Sequence, residues 1–456
     1  MKKTIFVMSI ALGLVYAGAA NAETLHDALA AAYNSNSELQ AQRAALRATD
    51  EGVARANSGF LPTIAGIGNI TKQDVKTTQT TEDEITLSRS NPLNKFYQAR
   101  LDQSLFRGFQ DFHGIKQAKS LIKAGRAQLR TTEQRVLLEA VTVYVNALRD
   151  ESVLQLNQNN VQVLERQLQA SRDRFRVGEI TRTDVAQSEA RLAGAVSQRI
   201  SAEANLAGAR ANYGRVIGQL PGTLEQPPDL PGLPATIEEA WAIASQENPS
   251  ISQAMFNEQA AVYSVRMAIG GLAPTVDGFA AIQRSSGESR FGALRVDTVQ
   301  DVAQAGVQIR IPLYQGGAVY SDIRRAKQTQ SQRRLDILTA ERQVRSDTRT
   351  AFEQHRAAKS SIISNQAQVK ANEIALEGVR QEASVGQRTT LDVLDAEQEL
   401  LDARVNLARA MRNLQIASFS FLSSLGRLNA VALALPVEVY DPGKYYGDVK
   451  WRLIGW

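Results

Sequence analysis

The sequence predicts a mainly helical chain that carries a membrane β portion, and three observations support this. The chain is written twice. Its 12 prolines leave two long windows, 93–220 and 313–435, free of proline. Two short stretches alternate apolar and polar residues with a period of two. Each feature fixes one part of the architecture.

The leader comes first. Lys2 and Lys3 form a basic start, an apolar run follows from Ile5 to Ala19, and Ala20-Asn21-Ala22 has the small-residue pattern of a cleavage site. Residues 1–22 read as a secretory signal, so the mature chain begins near Glu23. An uncleaved anchor is the alternative, but the run is short for a spanning helix. The formal net charge is +5, and two of the surplus cations lie in the leader. The remainder is nearly balanced, which argues against a nucleic-acid-binding face. There are no cysteines, hence no disulfide and no lipidated N-terminal Cys. Beyond residue 22 no apolar run reaches the length of a membrane helix, so any crossing must use β-strands in a closed barrel.

The duplication is read directly. Gly59-Phe60-Leu61-Pro62-Thr63-Ile64 lies over Gly271-Leu272-Ala273-Pro274-Thr275-Val276. Further on, Leu105 to Gly108 lies over Leu313 to Gly316, Val177-Gly178 over Val385-Gly386, and Asp184-Val185 over Asp392-Val393. The register changes between 66 and 105, where a surface loop tolerates a length change. The expected organisation is a first repeat at 23–218, a linker at 219–235, a second repeat at 236–428 and a tail at 429–456. The linker holds Pro221, Pro227, Pro228, Pro231 and Pro234, which suits irregular backbone.

The proline-free windows read as long helical hairpins, about 109–218 and 317–427. After each central turn a seam repeats with 3,4 spacing. The first is Val185, Ser188, Leu192, Ala195, Arg199, Ala202, Leu206, Ala209, Tyr213, Val216; the second is Val393, Ala396, Leu400, Ala403, Leu407, Ala410, Leu414, Ala417, Phe421, Ser424. A 3.5-residue period implies a left-handed coiled coil. Ser188 and Arg199 interrupt the first seam. The preceding helices, about 109–173 and 317–382, would each reach on the order of 95 Å at ~1.5 Å per residue. No globular core needs that length.

Strand hairpins are expected at about 62–107 and 274–314, joined through polar loops at 77–94 and 289–300. Tyr97, Ala99, Leu101 and Leu105 face opposite Gln98, Arg100, Asp102 and Ser104. Ala303 to Leu313 alternate likewise with Gln304, Gly306, Gln308 and Arg310. Four strands cannot close around a lumen, and open edges are forbidden in lipid. Three subunits would supply twelve strands, an even number within the range of such barrels.

The stretch Val385-Gly386-Gln387-Arg388-Thr389-Thr390-Leu391-Asp392-Val393-Leu394-Asp395-Ala396 resembles the VGTRT-x-x-DVLDA motif of the TolC family of outer-membrane efflux proteins. Val177-Gly178 followed by Thr183-Asp184-Val185 resembles the equivalent turn of the first copy. The resemblance covers nearly all of 23–430. It implies a homotrimer with a 12-stranded β-barrel in the outer membrane, four strands per subunit, continuous with a coiled-coil tunnel through the periplasm. It also implies partners: an inner-membrane transporter of the resistance-nodulation-division or ABC type, and a periplasmic adaptor. The duct would serve drug efflux, type I protein secretion or both. The family's Tyr three residues before the turn Gly is Ala383 here, so that tie is missing. The absent N-terminal Cys places the chain with the unlipidated branch.

Both turns, 175–184 and 383–392, would form the tunnel's periplasmic tip, with Gly178 and Gly386 allowing left-handed backbone. Asp392 and Asp395 lie on one helical face, and the resemblance places them in an acidic ring at the entrance. The first copy has Asp184 under Asp392, but Gln187 under Asp395 and Ile180 under Arg388. Arg388 is expected to reach Thr183 or Asp184 on the neighbouring hairpin and hold the entrance shut. In a purely local role Asp392 would instead cap its helix and Asp395 would be a solvated acid. No enzyme motif is found, and no cofactor or metal is expected. His26, His113 and His355 match no zinc spacing and read as surface helix residues. A periplasmic adaptor or an autonomous porin are the rival readings. The duplication and missing anchor disfavour the first, the scarcity of strands the second.

Overall fold

The computed structural model describes residues 23–82, 84–291, 294–452 and 455. The predicted leader lies outside the described residues. The chain divides into two compact units. Of the described residues, one unit comprises 41–131, 248–345 and those from 440 on; the other comprises those up to 40, 132–247 and 346–439.

The first unit holds the β structure: β1 (Thr63–Lys72), β2 (Val75–Thr80), β3 (Ile85–Ser90), β4 (Leu93–Arg107), β5 (Thr275–Phe291) and β6 (Leu294–Arg310). Strands β1, β4, β5 and β6 form one antiparallel sheet in that order. The β4–β5 pairing joins the two repeats edge to edge. Register brings Gly66, Ala99, Ile282 and Ala303 into one row, with Ile64, Leu101, Ala280 and Ala305 in the next. This face is apolar and bare: Ile64 is 77% exposed and Ile309 64%. The opposite face carries Gln98, Arg100, Gln283 and Gln304. Phe279 sits on that polar face, with the Arg100 guanidinium 5.3 Å from its ring centre. Gly306 makes room for it, because an added Cβ there would meet the ring at 3.0 Å.

Three strand expectations are corrected. The loops expected at 77–94 and 289–300 are largely strand: β2 and β3 form a separate ribbon, and β5 and β6 run on to Phe291 and from Leu294. Strand β2 is mostly polar on both faces and β3 alternates only briefly, through Ile85 and Leu87, so the pattern is too short to mark the ribbon. The strand expected to reach 313 ends at Arg310, just short of Pro312, which lacks a donor. A register shift between Ser104 and Phe106 bulges β4, and Leu105 there is exposed.

Helices α2 (Ser37–Asn57) and α6 (Pro249–Gly270) precede the strands. Short helix α9 (Lys444–Val449) gives the tail a place: Tyr445 Oη donates to Glu51 at 2.7 Å, Asn57 donates to the Lys450 carbonyl at 2.7 Å, and the guanidinium of Arg126 sits 5.6 Å from the centre of the Tyr446 ring. Asp50 on α2 is fully buried, and neither carboxylate oxygen finds a hydrogen-bond partner. Burial pushes its pKa up to about 6.

The second unit contains α1 (Leu25–Ser35), α4 (Arg182–Ile217), α5 (Ile237–Glu247) and α8 (Thr390–Ser424). Helices α3 (Gln110–Arg176) and α7 (Ala318–Ser384) contribute residues to both units. On α4 the seam residues Ser188, Ala195, Ala202, Leu206, Tyr213 and Val216 are buried. On α8 the seam is joined by a second buried row that includes Leu394, Leu401 and Phe419. Ser188 faces Ser171 at 3.2 Å, and Arg199 lies along its own helix 3.6 Å from Glu203. Residues 219–235 are irregular. Tyr144 Oη lies 2.7 Å from the carbonyls of both Glu23 and Glu225, and Tyr213 Oη donates to the Glu23 carboxylate at 2.6 Å. Burial pushes the Tyr144 pKa up to about 12 and raises that of Tyr213 as well. The histidines need correction too. His113 and His355 are half-buried rather than surface residues, each against an aromatic ring, Tyr263 and Phe421 respectively. His26 is exposed.

Candidate functional site: the hairpin tips

Both tips are built by one local program. At the end of α3, Gly178 has φ of 78°, its N–H donates to Phe175 O at 3.0 Å and that of Glu179 to Arg174 O at 2.9 Å. At the end of α7, Gly386 has φ of 79°, with Gly386 N–H donating to Ala383 O at 3.2 Å and Gln387 N–H to Glu382 O at 2.9 Å. This is the Schellman arrangement, which satisfies the last carbonyls of a helix by a left-handed residue. A Cβ added at either glycine meets nothing within 4 Å, so any cost of substitution is conformational.

The next helix starts with a capping box in each copy. Thr181 caps α4 with Asp184, and Thr389 caps α8 with Asp392. Asp392 accepts from Thr389 N–H at 2.9 Å and from its hydroxyl at 2.8 Å. Those bonds hold the Asp392 pKa below the usual carboxylate range, so it stays ionised. Sequence reasoning paired Asp392 and Asp395 on one face; the structure gives them different surroundings. Asp395 pairs with Arg191 of α4, a residue that sequence reasoning missed. Nothing in the spacing could reveal it, since the contact joins two helices from different copies.

Arg388 donates to Glu382 of its own turn at 2.8 Å. Within one chain it does not reach Thr183 or Asp184. Thr183 is exposed, and the Asp184 carboxylate accepts from Thr181 N–H and Oγ1, both at 2.8 Å. Each hairpin is also cross-braced at the same repeat position. Arg172 pairs with Glu189 at 2.7 Å, and Arg380 pairs with Glu397. Next to the tips, Val161 and Leu164 of α3, Ala195 of α4 and Leu394 of α8 form an apolar cluster.

A sheet that is apolar on one side and polar on the other, whose edge strands β1 and β6 pair with no further strand among the described residues, combined with duplicated coiled-coil hairpins, has the make-up of a membrane channel protein. Among the described residues no helix is long and apolar enough to cross a membrane. The profile of the family described as "Outer membrane efflux protein" matches residues 28–219 and 242–427, one match to each repeat. The outer membrane efflux protein BepC of Brucella suis is 34% identical over 97% of this chain and 94% of its own. The outer membrane protein TolC of Escherichia coli is 28% identical over 94% of this chain and 87% of its own. Among solved structures, the Campylobacter jejuni CmeC outer membrane channel superposes with a TM-score of 0.75 at 15% identity, covering 93% of this chain and 89% of that one. The chain belongs to the outer membrane efflux protein family, and it is a channel protein of the outer membrane.

Proposed function

We propose that three copies of this chain close a twelve-stranded barrel and form a passive exit duct, opened at its periplasmic end when an inner-membrane transporter and an adaptor dock. The observation that carries the trimer is the sheet itself. Strands β1 and β6 are its two edges, and unpaired edges do not persist in lipid. Three four-stranded sheets joined edge to edge leave none. The working repeats are 23–218 and 236–428, linked by 219–235 and followed by the tail 429–456. The transporter is of the resistance-nodulation-division or ABC type, and the duct carries cargo without a catalytic step or a cofactor.

The tips built on Gly178 and Gly386 are the docking end. Asp392 and Asp395 from three chains make an acidic entrance that favours cations. To hold the entrance shut, Arg388 would leave Glu382 and reach Thr183 or Asp184 of the neighbouring chain. In planar bilayers the wild type should give a small cation-selective conductance, and Asp392→Ala/Asp395→Ala should lose that selectivity. Chemical cross-linking should give a trimer. A dimeric or monomeric species with full conductance would refute the closure argument.

A further inference from the structure

We infer that Arg191 sets the charge of the entrance: by pairing with Asp395 across the two copies it compensates that carboxylate, leaving Asp392 as the active selector until the α4–α8 contact parts. This rests on the reading of the tips as the channel entrance.

Arg191 lies on α4 and Asp395 on α8, and they form an ion pair. Each is the sequence neighbour of a residue in the apolar contact beneath. Leu192 packs against the cluster that contains Leu394, so packing fixes both backbones and the two charges meet without ordering a loop. The pair belongs to this one contact and not to the repeat. The twin of Arg191 is Glu399 and that of Asp395 is Gln187, so the reverse pairing cannot form. The cross-braces Arg172–Glu189 and Arg380–Glu397, by contrast, occur in both copies, as expected of contacts that merely hold a hairpin together.

The neighbouring charges are otherwise engaged. Asp392 is held ionised by its cap, and Arg388 is folded onto Glu382. Asp395 is thus the carboxylate of the pair whose charge an adjoining helix cancels. Both members are about half exposed, Arg191 at 40% and Asp395 at 51% of the side chain. Such a pair is weak and screened by salt. A docking partner that separates α4 from α8 would release Asp395 toward the permeating ions, so opening would raise the negative charge of the entrance as well as widen it.

The test is reversal potential under a potassium chloride gradient for full-length trimers in planar bilayers. Arg191→Gln should raise the cation-to-anion permeability ratio, roughly twofold or more, by uncovering one carboxylate per chain. Arg191→Lys should behave as wild type. Asp395→Asn in the Arg191→Gln background should abolish the rise, and Asp395→Asn alone should change selectivity less than Asp392→Asn. If Asp392→Asn lowers selectivity while Arg191→Gln leaves it unchanged, the compensating role is refuted and the entrance reading stands. If neither changes selectivity, the tips do not line the ion path, and both readings fail together.

Discussion

The two helical hairpins descend from one sequence, yet they are buried differently. Helix α4 buries little beyond its seam, whereas α8 buries its seam and a second row that includes Leu394, Leu401 and Phe419. The cross-brace follows the same trend. Glu189 of the first copy is 50% exposed, but its twin Glu397 is 14% exposed. Buried polar groups differ as well: Ser171 faces Ser188 in the first copy, where the second has Val379 and Ala396. Duplication supplied two homologous hairpins, and α8 is the more enclosed helix. The enclosed copy is also the one that acquired Asp395 and Arg388. Local capping needs Asp184 and Asp392 alike, so the residues unique to the second copy are those free to take on a task.

Twin positions turn this comparison into measurements. The largest difference is expected at Tyr213 and Phe421. Phe421 is fully buried, 5.7 Å from Phe352 between ring centres, so Phe421→Ala should destabilise by about 3–5 kcal/mol. Tyr213→Phe keeps the ring and loses only the bond to Glu23, about 1.5–3 kcal/mol for a bond to a charged group. Denaturant unfolding measures both, and a Phe421→Ala loss no larger than that of Tyr213→Phe would mean that the Phe421 ring is not packed as its burial indicates.

Next comes Asp50, whose twin in the second copy is Val262. Its raised pKa means that the folded chain holds the proton more tightly than the unfolded chain. Its favourable contribution is therefore complete below about pH 4, the ordinary carboxylate value, and is lost as pH rises through about 6. Asp50→Asn should flatten that dependence and stabilise the protein at pH 7 by about 1–3 kcal/mol. A melting temperature unchanged between pH 4 and 7 in the wild type would sink this account.

The smallest contrast is in the cross-braces. Arg380→Ala strands a largely buried Glu397 and should cost about 1–3 kcal/mol. Arg172→Ala leaves a solvated Glu189 and should cost less than about 1 kcal/mol. Thermal unfolding of the two variants side by side decides the order.

Much of the architecture was legible because it is written in local periodicity. The 3,4 seam marks α4 and α8, and the proline-free windows mark α3 and α7 to within a few residues. The tips were legible from Gly178 and Gly386, since a left-handed residue at a helix end favours glycine. The strands were legible where an apolar face backs a polar one over many residues, as from Ala303 to Arg310, and were missed at β2 and β3, which form a short ribbon apart from that sheet. The tail gave no signal. Tyr445 and Tyr446 find their partners Glu51 and Arg126 hundreds of residues earlier in the chain.

By itself the sequence determined the duplication, the helical hairpins, the two strand pairs and the turn chemistry. Each rests on residues a few positions apart, whose interactions need no distant partner. Only the tertiary structure decided that β4 pairs with β5 to make one sheet from two repeats, and that Asp395 meets Arg191. Those choices depend on which surfaces of the two diverged copies come together, and a period along one chain carries no record of that.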